Sequence, residues 1–325
     1  MNLRRTRRAA ACTALALALA GCGAPGLPGS GGGTAPEIGA AVTDEQSARI
    51  LDRVLAESRS VYSGEGDAAG QVPKTFAGEG ARAALAAVQL VSAGVQGKAG
   101  AAPGDVKVLT TSRGDAYPRH IVGASTPAGA QLPQIHLISA KDAKTPYRLA
   151  LSAQVLPGAA ISAFPAPDQG AQVVTDGSDM AIKPVDLLKS YAKGLTEGAK
   201  GDVPYESDTF LDQVRQRAEE QAKAVAGQAD FTQTNQVMPD PVVAVREANG
   251  DTLVFGAIER TSDYAIKAGQ QMAPTPIFSA FVPGRSVLVQ QVRTQAVQFL
   301  VFVVPRSGKA HLVAATEQVV GASGY

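Results

Sequence analysis

From residue 43 onward the spacing of hydrophobic positions changes from helical to alternating, and it does so twice in the same order. Ala48, Leu51, Val54 and Leu55 recur three and four residues apart, which predicts a helix over 43–60. Thr43 opens it, with Gln46 three residues later in capping-box position. The Gly-rich stretch SGEGDAAGQVP then reads as a loop. Ala81, Ala84, Leu85, Val88 and Val91 restore the helical spacing and predict a second helix over 78–91. Beyond AGVQGKAGAAPG the period becomes two. VKVLTT, RHIVGAST, PQIHLIS and YRLALSAQVL read as strands, and in the last of these Tyr147, Leu149, Leu151, Ala153 and Val155 share a face.

The second round follows a linker over 159–181. Pro184 stands at the first turn of a helix carrying Leu187, Leu188, Tyr191 and Leu195. A further helix over 207–226 places Leu211, Val214, Ala218 and Val225 on one side. PVVAVRE, TLVFGAIE, VQFLVFVV and HLVAATEQVV are the strands of this round. Local matches support a repeat: RGDAYPRHIVGAS resembles NGDTLVFGAIE, with Gly114-Asp115 and Gly250-Asp251 as turns, and YRLALSAQVL aligns with HLVAATEQVV. The offset grows along the alignment, so the second copy carries an insertion around SDYAIKAGQQMAPTPIFSAFVPGRSVLVQQ. Helices followed by strands, twice over, predict an α+β protein of two tandem cone-like domains, 43–158 and 182–325, each with a curled antiparallel sheet on its helices. The order resembles the cystatin-like or NTF2-like plan.

The N-terminus is of another kind. MNLRRTRR is positively charged, and 9–20 is an apolar run of roughly a dozen residues, too short to span a bilayer but suited to a signal peptide. Leu19-Ala20-Gly21-Cys22 resembles the lipobox of bacterial lipoproteins. That resemblance implies cleavage after residue 21, a diacylglycerol on the Cys22 thiol, and acylation of the new amino group. Twin-arginine export fits less well, because alanines follow RRTRR where that route prefers a bulky apolar residue. Residues 22–42 then form the lipidated cysteine and a Gly/Pro/Ser tether, whose 16 or so flexible residues reach roughly 20–25 Å. Two acyl chains anchor stably where one is marginal. The implied location is the extracytoplasmic face of the cell membrane. Lipobox, tether, repeated units and scarce aromatics together resemble uncharacterised lipoproteins of high-GC Gram-positive bacteria, a group that brings no assigned activity.

Charge removes nucleic acid from the partners considered. Without the four leader arginines, 26 basic residues stand against 29 acidic ones. Trp is absent and aromatics make up 5%, which disfavours sugar-stacking and base-stacking surfaces. After leader removal Cys22 is the sole cysteine, so an intramolecular disulfide is excluded and Cys-His catalysis has no free thiol. The three histidines, His120, His136 and His311, fall in strands without metal-ligand spacing; His120 and His136 could meet across neighbouring strands. GxSxG is missing, and GEGDAAG lacks the Lys-Ser/Thr ending of a phosphate loop. DGSD (176–179) and DVPYESD (202–208) read as turns and helix caps, Arg113-Gly114-Asp115 as a hairpin turn, and the mixed-charge helices as solvated faces. No cofactor is expected. The reading is a non-catalytic binding or assembly module, held to membrane lipid through Cys22, whose partner is an envelope protein. A carrier of a lipid or other apolar molecule is the alternative. A transporter's solute-binding protein and an enzyme with a cone carboxylate follow behind.

Overall fold

Thr43 caps the first helix as its spacing predicts. Its Oγ1 accepts from the Gln46 amide, and the Gln46 side chain accepts from the Thr43 amide at 3.1 Å. The computed structural model describes residues 39–99, 102–177 and 179–325. The leader 1–21, Cys22 and the tether as far as residue 38 lie outside the described residues. Helix α1 (Asp44–Ser63) buries Leu51, Val54, Leu55 and Val61 and ends at Gly64, whose φ of 69° is a left-handed cap. Helix α2 (Ala68–Thr75) occupies part of the expected Gly-rich loop. Asp67 nucleates it by accepting from the Gly70 amide, and a Cβ at position 70 would lie 2.0 Å from that carboxylate. The glycine that suggested a loop is thus required by the cap. Helix α3 (Gly78–Ser92) follows, then strands β1 (Gly104–Thr111), β2 (Arg119–Thr126), β3 (Gln134–Ala140) and β4 (Arg148–Val155).

The second round runs α4 (Pro184–Glu197), α5 (Thr209–Val225), β5 (Ala229–Val237), β6 (Val243–Arg246), β7 (Thr252–Ile266), α6 (Pro276–Phe281), β8 (Gln291–Val304) and β9 (His311–Gly324). Strand β5 is absent from the hydrophobic pattern because ADFTQTNQV is mostly polar and exposes every second residue along its length. The segment read as an insertion lies at the end of a long β7–β8 hairpin, paired from Thr252↔Val304 to Ala265↔Gln291. At its tip Phe278 of α6 packs with Leu288 and Val292.

The helix-then-strand order recurs, but two separate cones do not form. The nine strands among the described residues belong to one antiparallel sheet of order β1-β2-β3-β4-β9-β8-β7-β5, with β6 pairing the start of β7. The halves join where Gln154 and Val155 of β4 pair with Ala315 and Ala314 of β9. Strands β1 and β5 end the order, so the sheet stays open. The physical reason lies in TLVFGAI and QFLVFVV, which are apolar at consecutive positions and need cover on both faces. Helices α4 and α5 cover one face, where Val254, Ile258, Leu300 and Phe302 meet Leu188, Tyr191 and Leu211. The other face, with Leu253, Phe255, Phe299 and Val301, packs against Val122, Ile135, Leu137 and Leu151 of the first half. The first half is built likewise: Leu51, Val54, Phe76 and Ala84 of its helices cover Ile121, Ile138 and Leu149.

The segment read as a linker is laced to both halves. Ala171 donates to the Thr111 carbonyl and its own carbonyl accepts from the Arg113 amide, both at 2.8 Å. Farther along, Val174 donates to Ala244, and Arg246 donates to Gln172, both at 2.9 Å. Residues 39–42, placed in the tether by sequence, are bound to the fold: Ala40 donates to Asp168 and Ala41 to Ser112. The described residues, 39–99, 102–177 and 179–325, cluster as one compact unit. Among the described residues no helix is long and apolar enough to cross a membrane.

Candidate functional site

The strand register lines up four polar side chains that the sequence alone leaves scattered. Ser112 donates its amide to the His120 carbonyl, His120 stands opposite Ser139, and Ser139 stands opposite Arg148. The row therefore crosses from the end of β1 to β4 on one face of the sheet. His120 Nδ1 lies 2.8 Å from Ser139 Oγ, and the His120 amide donates to Ser112 Oγ at 3.0 Å. Burial lowers the His120 pKa to about 4, so the ring is neutral at pH 7.

This row lies in a groove of about 1230 Å³ between the two halves. Phe76, Ala77 and Ala81, from the end of α2 and the start of α3, line it with Ala150 of β4. Val173 and Val174 of the laced segment and Val242, Val243 and Ala244 at β6 add to its apolar lining. Charges stand around these walls. Arg113 is committed, donating to the carbonyls of Gln169 and Gly170 at 3.1 and 3.2 Å. Asp240 lies against Gly78, where a Cβ would be 2.8 Å from its carboxylate, and so sits at the positive end of α3. Lys141 and Asp115 are exposed lining residues. Arg148 is half-buried, and its Nε is buried without a hydrogen-bond partner among the described residues.

The remaining sequence candidates have other partners or positions. His136 faces away from His120, toward α1, and is held by Ser125 and Ser152 at 2.8 Å each. The two histidines therefore do not meet. Among the described residues no group of three His, Cys, Asp or Glu side chains is placed to hold a metal ion. Asp179 pairs with Arg246, Asp202 with Lys309, and Asp208 caps α5 while accepting from the Tyr191 hydroxyl at 3.0 Å. Asp115 belongs to the β1–β2 turn beside Gly114, whose φ is 83°. Among the described residues no carboxylate hydrogen-bonds His120 or His136, so the His120–Ser139 pair lacks the orienting acid of a hydrolase relay.

Sequence reasoning missed Ser139 and Arg148. Each is a polar residue at the end of an apolar strand, and only the register reveals that they adjoin. Glu247 was also missed. It is 1% exposed in the β6–β7 turn, where the Ser162 backbone amide is a weak partner for its carboxylate.

The fold and groove define an open α+β sheet protein whose two halves share one core and one cleft. The chain belongs to the family described as a domain of unknown function, DUF8094, whose model matches residues 113–324, well over half of its length. The match runs through the laced segment and on to β9, covering His120, Ser139, Arg148 and the β6 wall while leaving out α1–α3 and β1. No curated protein and no solved structure matches the chain.

Proposed function

We propose that this chain is a non-catalytic binding protein, anchored at the extracytoplasmic face of the cell membrane through acylated Cys22, that takes a small molecule into the groove between its halves. The groove carries the reading. A concave, largely apolar site with a few convergent polar groups is the form that small-molecule sites take. Here His120, Ser139 and Arg148 adjoin one another through the strand register, beside the apolar wall of Ala77, Val173 and Val243. Leu19-Ala20-Gly21-Cys22 supports the anchor, and the short tether would hold the groove close to the outer leaflet.

A form beginning at Gly23 retains every described contact, because those contacts lie within residues 39–325. Native mass spectrometry of this form, followed by solvent extraction, tests the reading. A reproducible extra mass that is lost when Val243→Asp charges the wall is expected. A bare protein that takes up nothing from a membrane extract opposes it. Loss of radiolabelled palmitate incorporation in Cys22→Ala tests the anchor.

The reading as an assembly module rests on a different observation. Ile277, Val287, Val289 and Tyr325 are exposed around α6 and the adjoining chain end, where a partner protein would find an apolar surface. Cross-linking on intact membranes, compared with a Val287→Asp/Val289→Asp chain, distinguishes it from the carrier reading.

A further inference from the structure

The groove's charge narrows what it would hold. Arg113, Lys141 and Arg148 line it against Asp115 and Asp240, and His120 is neutral, so the lining carries one net positive charge. The cations are not equivalent. Arg113 is bound to two carbonyls and Lys141 is exposed. Arg148 stands opposite Ser139 in the register, with a buried Nε that has no partner among the described residues. A guanidinium in that position leaves a buried donor unsatisfied, at a cost that an incoming acceptor would relieve. Its planar fork suits the paired oxygens of an oxyanion, and such charge-assisted hydrogen bonds are about twice as strong as neutral ones. His120 adds a second polar contact and no second charge.

We infer that the ligand is an amphiphile with a singly charged oxyanion head, seated against Arg148 beside His120 and Ser139, and an apolar chain lying along Ala77, Val173 and Val243. The inference rests on the groove being a binding site, as proposed above. A carboxylate and a phosphodiester share this head-group chemistry. A dianion would exceed the single net charge, and a cation would face Arg148 directly.

Isothermal titration of the form beginning at Gly23 with four probes below their micelle concentrations tests it: decanoate, dihexanoyl phosphatidylglycerol, decanol and decyltrimethylammonium. At least one of the two anions should bind tenfold or more tightly than decanol, and the cation most weakly. The tighter anion identifies the head group as carboxylate or phosphodiester. Arg148→Gln should bring that anion's Kd to within about threefold of decanol's and leave decanol binding unchanged, while Arg148→Lys keeps part of the preference. Decanol binding as tightly as both anions would overturn the head-group inference and leave the groove reading standing. So would an anion preference that survives Arg148→Gln. Failure of every probe to bind would overturn both. If Arg148→Gln does not fold, the four probes on the parent chain still decide the matter.

Discussion

Replacing Glu247 by Gln should stabilise the protein, and by an amount that depends on pH. The side chain is buried in the β6–β7 turn, the Ser162 backbone amide is a weak partner that offsets little of that burial, and the Asp251 carboxylate stands four residues away. Burial first, and then Asp251, raise its pKa from 4.5 to about 7. A carboxyl group with a raised folded-state pKa favours folding only while protonated. The unfolded chain ionises above about 4.5 and the folded chain only above about 7, so the penalty grows across that window and levels off beyond it. A difference of this size corresponds to about 1 kcal/mol at pH 5 and about 3 kcal/mol at pH 8.5. Gln keeps the shape and never ionises. Urea denaturation of both chains at pH 5 and pH 8.5 should show the stabilisation by Glu247→Gln growing by about 2 kcal/mol between the two. Equal differences at both pH values would refute the reasoning, because they would mean that the carboxylate is already solvated or paired in the folded state.

Gly80→Ala sets two effects against each other. Alanine favours the helix by about 1 kcal/mol, but its Cβ would lie 2.7 Å from the Ala150 carbonyl oxygen and 3.0 Å from that of Leu149. Backbone cannot swing aside as a side chain can, so overpacking should win and lower stability by a net 1–2 kcal/mol or so. A rise in melting temperature would show that α3 is not seated directly on β4. Asp208→Ala removes the α5 cap and orphans the buried Tyr191 hydroxyl; a loss of about 2–3 kcal/mol is expected by chemical denaturation, and a loss under about 0.5 kcal/mol would contradict these roles. His120 and His136 have pKa values lowered to about 4 by burial, so each weakens folding as pH falls from 6.5, by about 3 kcal/mol at pH 4. Their ring resonances should stay unshifted by NMR from pH 8 to pH 5, and a midpoint near 6.5 would mean that the rings are solvated.

Periodicity in the chain reaches the individual elements and stops short of their assembly. The capping box at Thr43, the helix opened by Pro184 and RHIVGAST as a strand stand where the pattern puts them. Helix α2 was hidden because Gly70 answers to Asp67 and not to a turn, and β5 because an edge strand can be polar along most of its length. The union of the halves was partly legible. QFLVFVV has no polar face, so a single layer of helices could never have sufficed, yet nothing in it names the surface that covers the other side. That surface comes from residues more than 140 positions earlier, such as Leu137 and Leu151. The site is the least legible part for the same reason. His120, Ser139 and Arg148 come from three strands and become neighbours only through register, which a run of hydrophobic residues does not encode.

The central claim is that one ligand is held by both halves at once, and hydrogen exchange read by mass spectrometry tests it most directly. Exchange should be compared with and without the amphiphile that binds most tightly. Protection is predicted to rise together in 112–120, 172–175 and 239–244, with little change at the hairpin tip around α6. Protection confined to one half, or none in any of the three segments, would contradict the account.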